Sequence, residues 1–349
     1  MRNSLKITAG VVVAIFFLWL ALRNIEFSEV LFYMQGITYW WLIPYTVVSL
    51  FSHYLRSERW RLLVKREQHE HQRDTLFAAV LVGYLVNYAV PRLGEISRSV
   101  YVAQKSDMST SDVIGTVVLE RVIDFACMVV MIIGVVVFIL ADMQTVERVF
   151  GTGTLNFLAW LGEWQQIGMI LFLLLAGSML LYLSYMLLNR WRKRSSLGRK
   201  IASRVQESVG KFFYGLTAIF RMKNWPAFIL TTIMIWVSYA AMSYIPFFAF
   251  DLPSEYGLGF HHAWVVMIIS AVGVAIPSPG GVGTYHWFVT QTLVVLYSVP
   301  AAVALAYAFV THAVMMLLII VVTPLMVLVN NGGKLQLDIF NKSPKTPGD

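Results

Sequence analysis

Apolar runs of about 20 residues, the length at which a helix crosses the hydrocarbon of a bilayer, recur along the chain at 7–22, 38–55, 113–141, 166–188, 226–250 and 301–329. Of its 349 residues, 58% are hydrophobic and 13% charged, and almost every segment lies inside or beside such a run. That pattern excludes a soluble enzyme, a nucleic-acid reader and a disordered protein. The first run ends in Leu20-Ala21-Leu22-Arg23-Asn24 without a small-x-small cleavage site, so it reads as a retained helix and not a signal peptide. The single cysteine, Cys127, allows no disulfide within the chain.

Two more apolar stretches, 75–105 and 263–298, are broken near their middles by proline and glycine. Loop charge decides how they sit. The loop at 56–74 holds six Lys/Arg and the loop at 189–225 holds ten, which places both in the cytoplasm. An even number of crossings must separate them, and 113–141 with 166–188 already supply two. The stretch at 75–105 therefore enters and leaves on the cytoplasmic side. Residues 251–262 contain no Lys or Arg and read as external, whereas the 331–349 tail carries Lys334, Lys342 and Lys345. The stretch at 263–298 therefore dips in from outside, and both termini are cytoplasmic.

The expected fold is all-α: a polytopic membrane protein with six spanning helices plus two re-entrant broken-helix hairpins in an inverted repeat. The chain forms one integral membrane domain, 1–349. Its first half is 1–188, with the re-entrant stretch 75–105; its second half is 226–330, with the re-entrant stretch 263–298. Between them, 189–225 carries Leu197, Ile201, Val205, Phe212, Leu216 and Phe220 at helical spacing with basic residues off that stripe. It reads as an amphipathic connector in the cytoplasmic interface. Transporters built on inverted repeats place their site near the midplane, where broken helices meet.

Three clusters carry chemistry. The first is Asn87, Pro91, Arg92, Gly94, Glu95 and Arg98. Proline ends the first half-helix, and a second one starting near Glu95 would aim free N–H groups at an anion, with two arginines able to grip a phosphate. The other reading has the arginines at the interface, paired with Glu95. The second cluster, Glu120, Arg121 and Asp124, lies about 10–17 Å along its helix. Charges at that depth must face protein or water, either framing a polar headgroup or clamping helices together. On depth alone, Arg121→Ala is expected to cost more activity than Arg98→Ala.

The third is the broken run Pro277-x-Pro279-Gly280-Gly281-x-Gly283-x-x-His286. So many backbone-special residues mark non-helical chain packed closely against something. No strand precedes it and no Lys-Ser/Thr follows, so a nucleotide loop is unsupported. His286 is open to two readings, a titrating group or a hydrogen-bonded structural one, and His312 beside Thr311 shares them. No metal site and no cofactor is expected. The exposed-looking aromatics, such as Tyr39-Trp40-Trp41, suit an interfacial belt.

Taken in order, the strings resemble the flippase-like membrane domain family, also called the lysylphosphatidylglycerol synthase transmembrane region. Its pattern is N-x-x-x-P-x-R-x-G-E-x-x-R, then E-R-x-x-D, then P-x-x-P-G-G-x-G-x-x-E. The present chain supplies Asn87, Pro91, Gly94, Glu95 and Arg98, with Arg92 directly after the proline, then Glu120, Arg121 and Asp124, then Pro279, Gly280, Gly281 and Gly283. His286 stands where the family usually has glutamate, and the soluble aminoacyl-transfer domain of some members is absent. The resemblance implies that the chain is no enzyme and moves a polar or anionic-headgroup lipid, such as an aminoacylated phospholipid or lipid-linked precursor, across the cell's inner or plasma membrane. Its implied partners are membrane lipids and a separate lipid-modifying enzyme, with no nucleic acid, and oligomeric state is left open. The rival readings are a membrane-embedded enzyme with Glu120 or Asp124 as base, and a small-solute or ion transporter.

Overall fold

The computed structural model describes residues 2–23, 25–64, 73–106, 108–140, 179, 217–222 and 224–332. Over these residues the chain is helical, without strands. The expected span at 166–188, most of the 189–225 connector and nearly all of the 331–349 tail fall outside the described residues.

In chain order the longer helices are α1 (Arg2–Leu22), α2 (Phe27–Gln35), α3 (Leu42–Val64), α4 (Arg73–Ala89), α5 (Gly94–Gln104) and α6 (Thr110–Leu140), then α7 (Trp225–Ala249), α8 (Phe260–Ala275), α9 (Thr284–Tyr297) and α10 (Ala301–Asn330). Local signals set several starts. Ser109 Oγ accepts the Asp112 N–H at 3.2 Å ahead of α6, and Asn224 Oδ1 accepts the Ala227 N–H at 3.2 Å ahead of α7, with Pro226 in its first turn. Helix α3 corrects the sequence reading. It runs on to Val64 instead of ending near 55, because Arg56 and Arg59 are buried inside the bundle and do not begin a loop.

Helices α7 and α10 are each long and apolar enough to cross a membrane, and α1 with α2, bent by 83°, adds a third if the pair is one crossing. Their outward faces suit lipid: Ile229, Leu230, Ile233 and Val237 on α7, and Leu317, Val321 and Leu325 on α10, are exposed. So are Val122, Phe125, Val130 and Ile133 on α6. In water such a perimeter would drive association; against acyl chains it is the expected surface.

Both proline-glycine breaks are present. Helices α4 and α5 fold back on one another, with a Cβ placed at Gly83 reaching the Gly94 carbonyl oxygen at 3.1 Å. Gly94 is needed for close approach: a methyl there would run into the Gly83 carbonyl and the Asn87 amide. Helices α8 and α9 form the second hairpin, where a Cβ at Gly273 would lie 3.0 Å from the Phe288 ring.

The hairpins come from opposite ends of α10. At the open end of the first, Thr75 Oγ1 donates to Asn330 Oδ1 (3.1 Å), Asn330 Nδ2 donates to the Tyr101 hydroxyl (3.0 Å), and Lys105 Nζ donates to the Asn330 carbonyl (3.0 Å). The second hairpin feeds directly into the other end of α10 through Ser298–Pro300. Its tip reaches His312, whose Nε2 lies 3.0 Å from the Gly280 carbonyl oxygen. At 1.5 Å per residue, His312 is about 17 Å from one end of α10 and about 27 Å from the other.

Each hairpin sits in its own apolar cluster. Trp60, Leu76, Val80, Val102, Val113 and Val117 surround the first; Val266, Val289, Leu293, Val303, Leu305 and Phe247 surround the second. Helix α1 crosses between the tips. Its Gly10 faces both, a Cβ there falling 3.1 Å from Pro91 Cγ and 3.5 Å from Pro279 Cδ.

Candidate functional site

Five charged side chains from α3, α5 and α6 form a buried network. Glu120 is ion-paired to Arg56, to Arg98 (3.1 Å) and to Arg59 (3.5 Å). Asp124, one turn on, is paired to Arg59 (2.6 Å) and Arg56 (3.4 Å). The Arg56 guanidinium also donates to the hydroxyls of Tyr84 (2.9 Å) and Tyr239 (3.1 Å), which ties in α4 and α7. Arg98 lies over the Trp60 ring, 4.7 Å from its centroid, and the Trp60 Nε1–H donates to Thr116 Oγ1 at 3.0 Å. Moving even one such charge to the bilayer centre costs about 2.5–3.5 kcal/mol, so the pairing is what makes this interior tolerable.

Sequence reasoning overlooked Arg56 and Arg59, having counted both as loop charges. The available signal was helical spacing. His53, Arg56 and Arg59 recur every three residues, and Trp60 lies four beyond Arg56.

Arg121 requires a correction. Its side chain is 42% exposed and pairs with Glu95 at 3.2 Å, whereas the Arg98 side chain is 4% exposed. Glu120 and Asp124 are four apart and share a face; Arg121 is turned about 100° from Glu120 and looks away from the network. The premise of the expected order of sensitivity, that Arg121 lies further from water than Arg98, is overturned. Depth along a helix is not distance from its surroundings.

Of the first cluster, Asn87 caps the break: its Oδ1 accepts the Gly94 N–H at 2.7 Å. Arg98 pairs with Glu120 and Glu95 with Arg121, so neither arginine of that cluster pairs with Glu95 as one reading expected. Arg92 is exposed, adopts a left-handed φ of 63° and donates from Nη2 to the Ala275 carbonyl at 3.1 Å, across to the second hairpin. A non-glycine residue held there is strained, a feature that gathers at functional positions.

In the second hairpin Gly280, Gly281 and Gly283 all have positive φ. A Cβ at Gly280 would meet the Tyr88 ring at 2.6 Å, so the two tips touch at Tyr88–Gly280 as well as at Arg92–Ala275. Pro279 opens a single 3-10 turn. His286 is buried, its Nδ1 accepting the Gly283 N–H at 3.3 Å, which caps α9. Its ring lies 4.8 Å from the His312 ring. The same device starts α8, where His262 Nδ1 accepts the Gly259 N–H at 2.8 Å.

Among the described residues no group of three or more His, Cys, Asp and Glu side chains is gathered as a metal ion needs. A pocket of about 620 Å³ lies away from the network, lined by Ile25, Phe32, Tyr33 and Pro300 among others.

Apolar helices with a lipid-facing perimeter, enclosing charge beside two broken hairpins, define a helical membrane protein with a polar interior. The chain belongs to the family described as the lysylphosphatidylglycerol synthase TM region, which matches residues 7–323. No curated protein matches the chain, and neither does any solved structure.

Proposed function

We propose that this protein moves a polar or anionic-headgroup lipid across the bilayer, sheltering the headgroup at the meeting tips while the acyl or prenyl chains stay in lipid. The observation that carries this reading is the contact between the tips. Arg92 reaches across to Ala275, with the exposed Arg121–Glu95 pair on the adjoining helices. Polar groups thus stand beside the exposed apolar Val274 and Phe125, a setting suited to an amphiphile. Irregular backbone at such depth is tolerated where it is buried or lines a wet cavity.

An inverted repeat supports alternating access. The packing α3–α4, α4–α5, α5–α6 and α4–α10 has its counterpart in α7–α8, α8–α9, α9–α10 and α8–α6, as expected if the halves are exchanged. In this reading six helices span the inner or plasma membrane and both termini are cytoplasmic. Lipid-modifying chemistry falls to a separate enzyme. The rival of an embedded hydrolase or transferase is weakened by Glu120, whose carboxylate is taken up by ion pairs with three guanidiniums.

Reconstitution tests the proposal. Purified protein in liposomes should change the sidedness of head-labelled lipids and leave them chemically intact. Lipid consumption without any change of sidedness would establish the enzyme instead.

A further inference from the structure

The buried network does not balance. Arg56, Arg59 and Arg98 face only Glu120 and Asp124, and Arg121 with Glu95 forms a separate pair. Among the described residues one positive charge is left over, in a region where Arg59 and Glu120 are fully buried. The donors are also underused. The Nε atoms of Arg56, Arg59 and Arg98 and the Nη1 of Arg59 meet no acceptor, and both ring nitrogens of His53, one turn before Arg56, are buried without a hydrogen bond. Arg59 approaches Asp124 without the alignment a hydrogen bond needs. Buried polar groups in this state call for a missing partner, and a surplus cation calls for an anionic one.

We infer that Arg56, Arg59 and Arg98 form a binding site for a phosphate monoanion. Three separate guanidiniums present more free N–H groups than a single-atom anion can meet. A tetrahedral oxyanion offers several acceptors, and guanidinium forks match it. The site has an approach. Exposure falls within the network from the Asp124 side chain (18%) through Arg56 (6%) to Arg59 (0%). Asp124 is thus the network's most exposed member and the side from which a ligand would arrive. The inference rests on the lipid-moving reading and names the chemistry of the group moved: the phosphate of a lipid headgroup.

The test is thermal unfolding of the full chain in phosphate-free maltoside detergent. The additions are dioleoylphosphatidylglycerol, a galactosyl diacylglycerol with the same tails, inorganic phosphate, or chloride at matched ionic strength. At roughly 100 times Kd, phosphatidylglycerol should raise the midpoint by about 3–6 °C, and the uncharged glycolipid and chloride should not. Protection by inorganic phosphate alone would keep the anion chemistry and assign the site to a free ion, removing the lipid as its source.

Arg59→Gln makes the network neutral, so the effect of phosphatidylglycerol should vanish in whatever fraction of the variant folds. Arg59→Lys should restore the response, and Arg61→Gln, which loses only the two-pronged ion pair with Glu58 outside the network, should leave it intact. An equal response in Arg59→Gln, or equal protection by chloride, overturns the proposal. If Arg59→Gln does not fold, phosphorus NMR of the parent decides, since a free-lipid linewidth for phosphatidylglycerol would overturn it too. Binding without any change of lipid sidedness would sink the transport reading alone; sidedness change without phosphate dependence would sink this site alone.

Discussion

Arg98 and Glu120 meet at 3.1 Å with both side chains almost wholly buried, joining the second arm of the first hairpin to α6. Cutting one partner from a buried pair costs about 3–5 kcal/mol. An exposed pair is worth about 1 kcal/mol or less. Arg98→Ala should therefore lower the unfolding midpoint far more than Arg121→Ala, as read by thermal melts in detergent. Equal melting of the two variants would contradict the network.

Glu120→Gln should be more damaging than either. It leaves Arg56, Arg59 and Arg98 with only Asp124 as a counter-charge, so folded yield should collapse; restored yield in Glu120→Asp would identify charge as the requirement.

Gly94→Ala places a methyl against backbone at Gly83 and against the Asn87 amide. Neither can yield without opening the hairpin, so this variant should fail to give folded protein. Gly83→Ala, with its nearest neighbour at 3.1 Å, should fold with a lowered midpoint. Size-exclusion profiles after extraction distinguish the two.

Arg92→Gly relieves the left-handed φ at that position and should raise stability by up to about 1 kcal/mol, yet it removes the cation that reaches Ala275. A higher melting midpoint with slower lipid movement is the expected combination. Unchanged movement would exclude Arg92 from the pathway.

The paired caps at His262 and His286 should each contribute about 0.5–2 kcal/mol, the usual range for a helix N-cap. Alanine at either position should lower the midpoint by a similar amount, and the double variant by nearly the sum, because the two caps begin different helices. Chemical-shift or exchange measurements at Gly259 and Gly283 would report each cap directly.

The breaks were legible because proline and glycine act locally. Pro91 and the Pro277–Gly283 run interrupt apolar stretches whatever surrounds them, and α4–α5 and α8–α9 part within a few residues of those points. The ion pairs were harder to read. Arg56 and Arg59 look like the start of a basic loop when charge alone is counted; only the azimuth of α3 against α6 shows that they face Glu120 and Asp124. The same azimuth separates Arg121 from its neighbour Glu120, a difference of one residue in sequence and of about 100° around the helix. Asn87 was gathered with the site residues through its motif, but its role as a cap depends on the return of α5, a contact made across seven residues of chain.

Helix α1 gives the pair of hairpins a crossbar. Gly10 lies against both Pro91 and Pro279, where even a methyl would be tight, 3.1 Å from Pro91 Cγ. If the proposed lipid movement proceeds by rocking one half on the other, α1 travels with both tips, and a bulky side chain at position 10 would act as a jammed hinge pin.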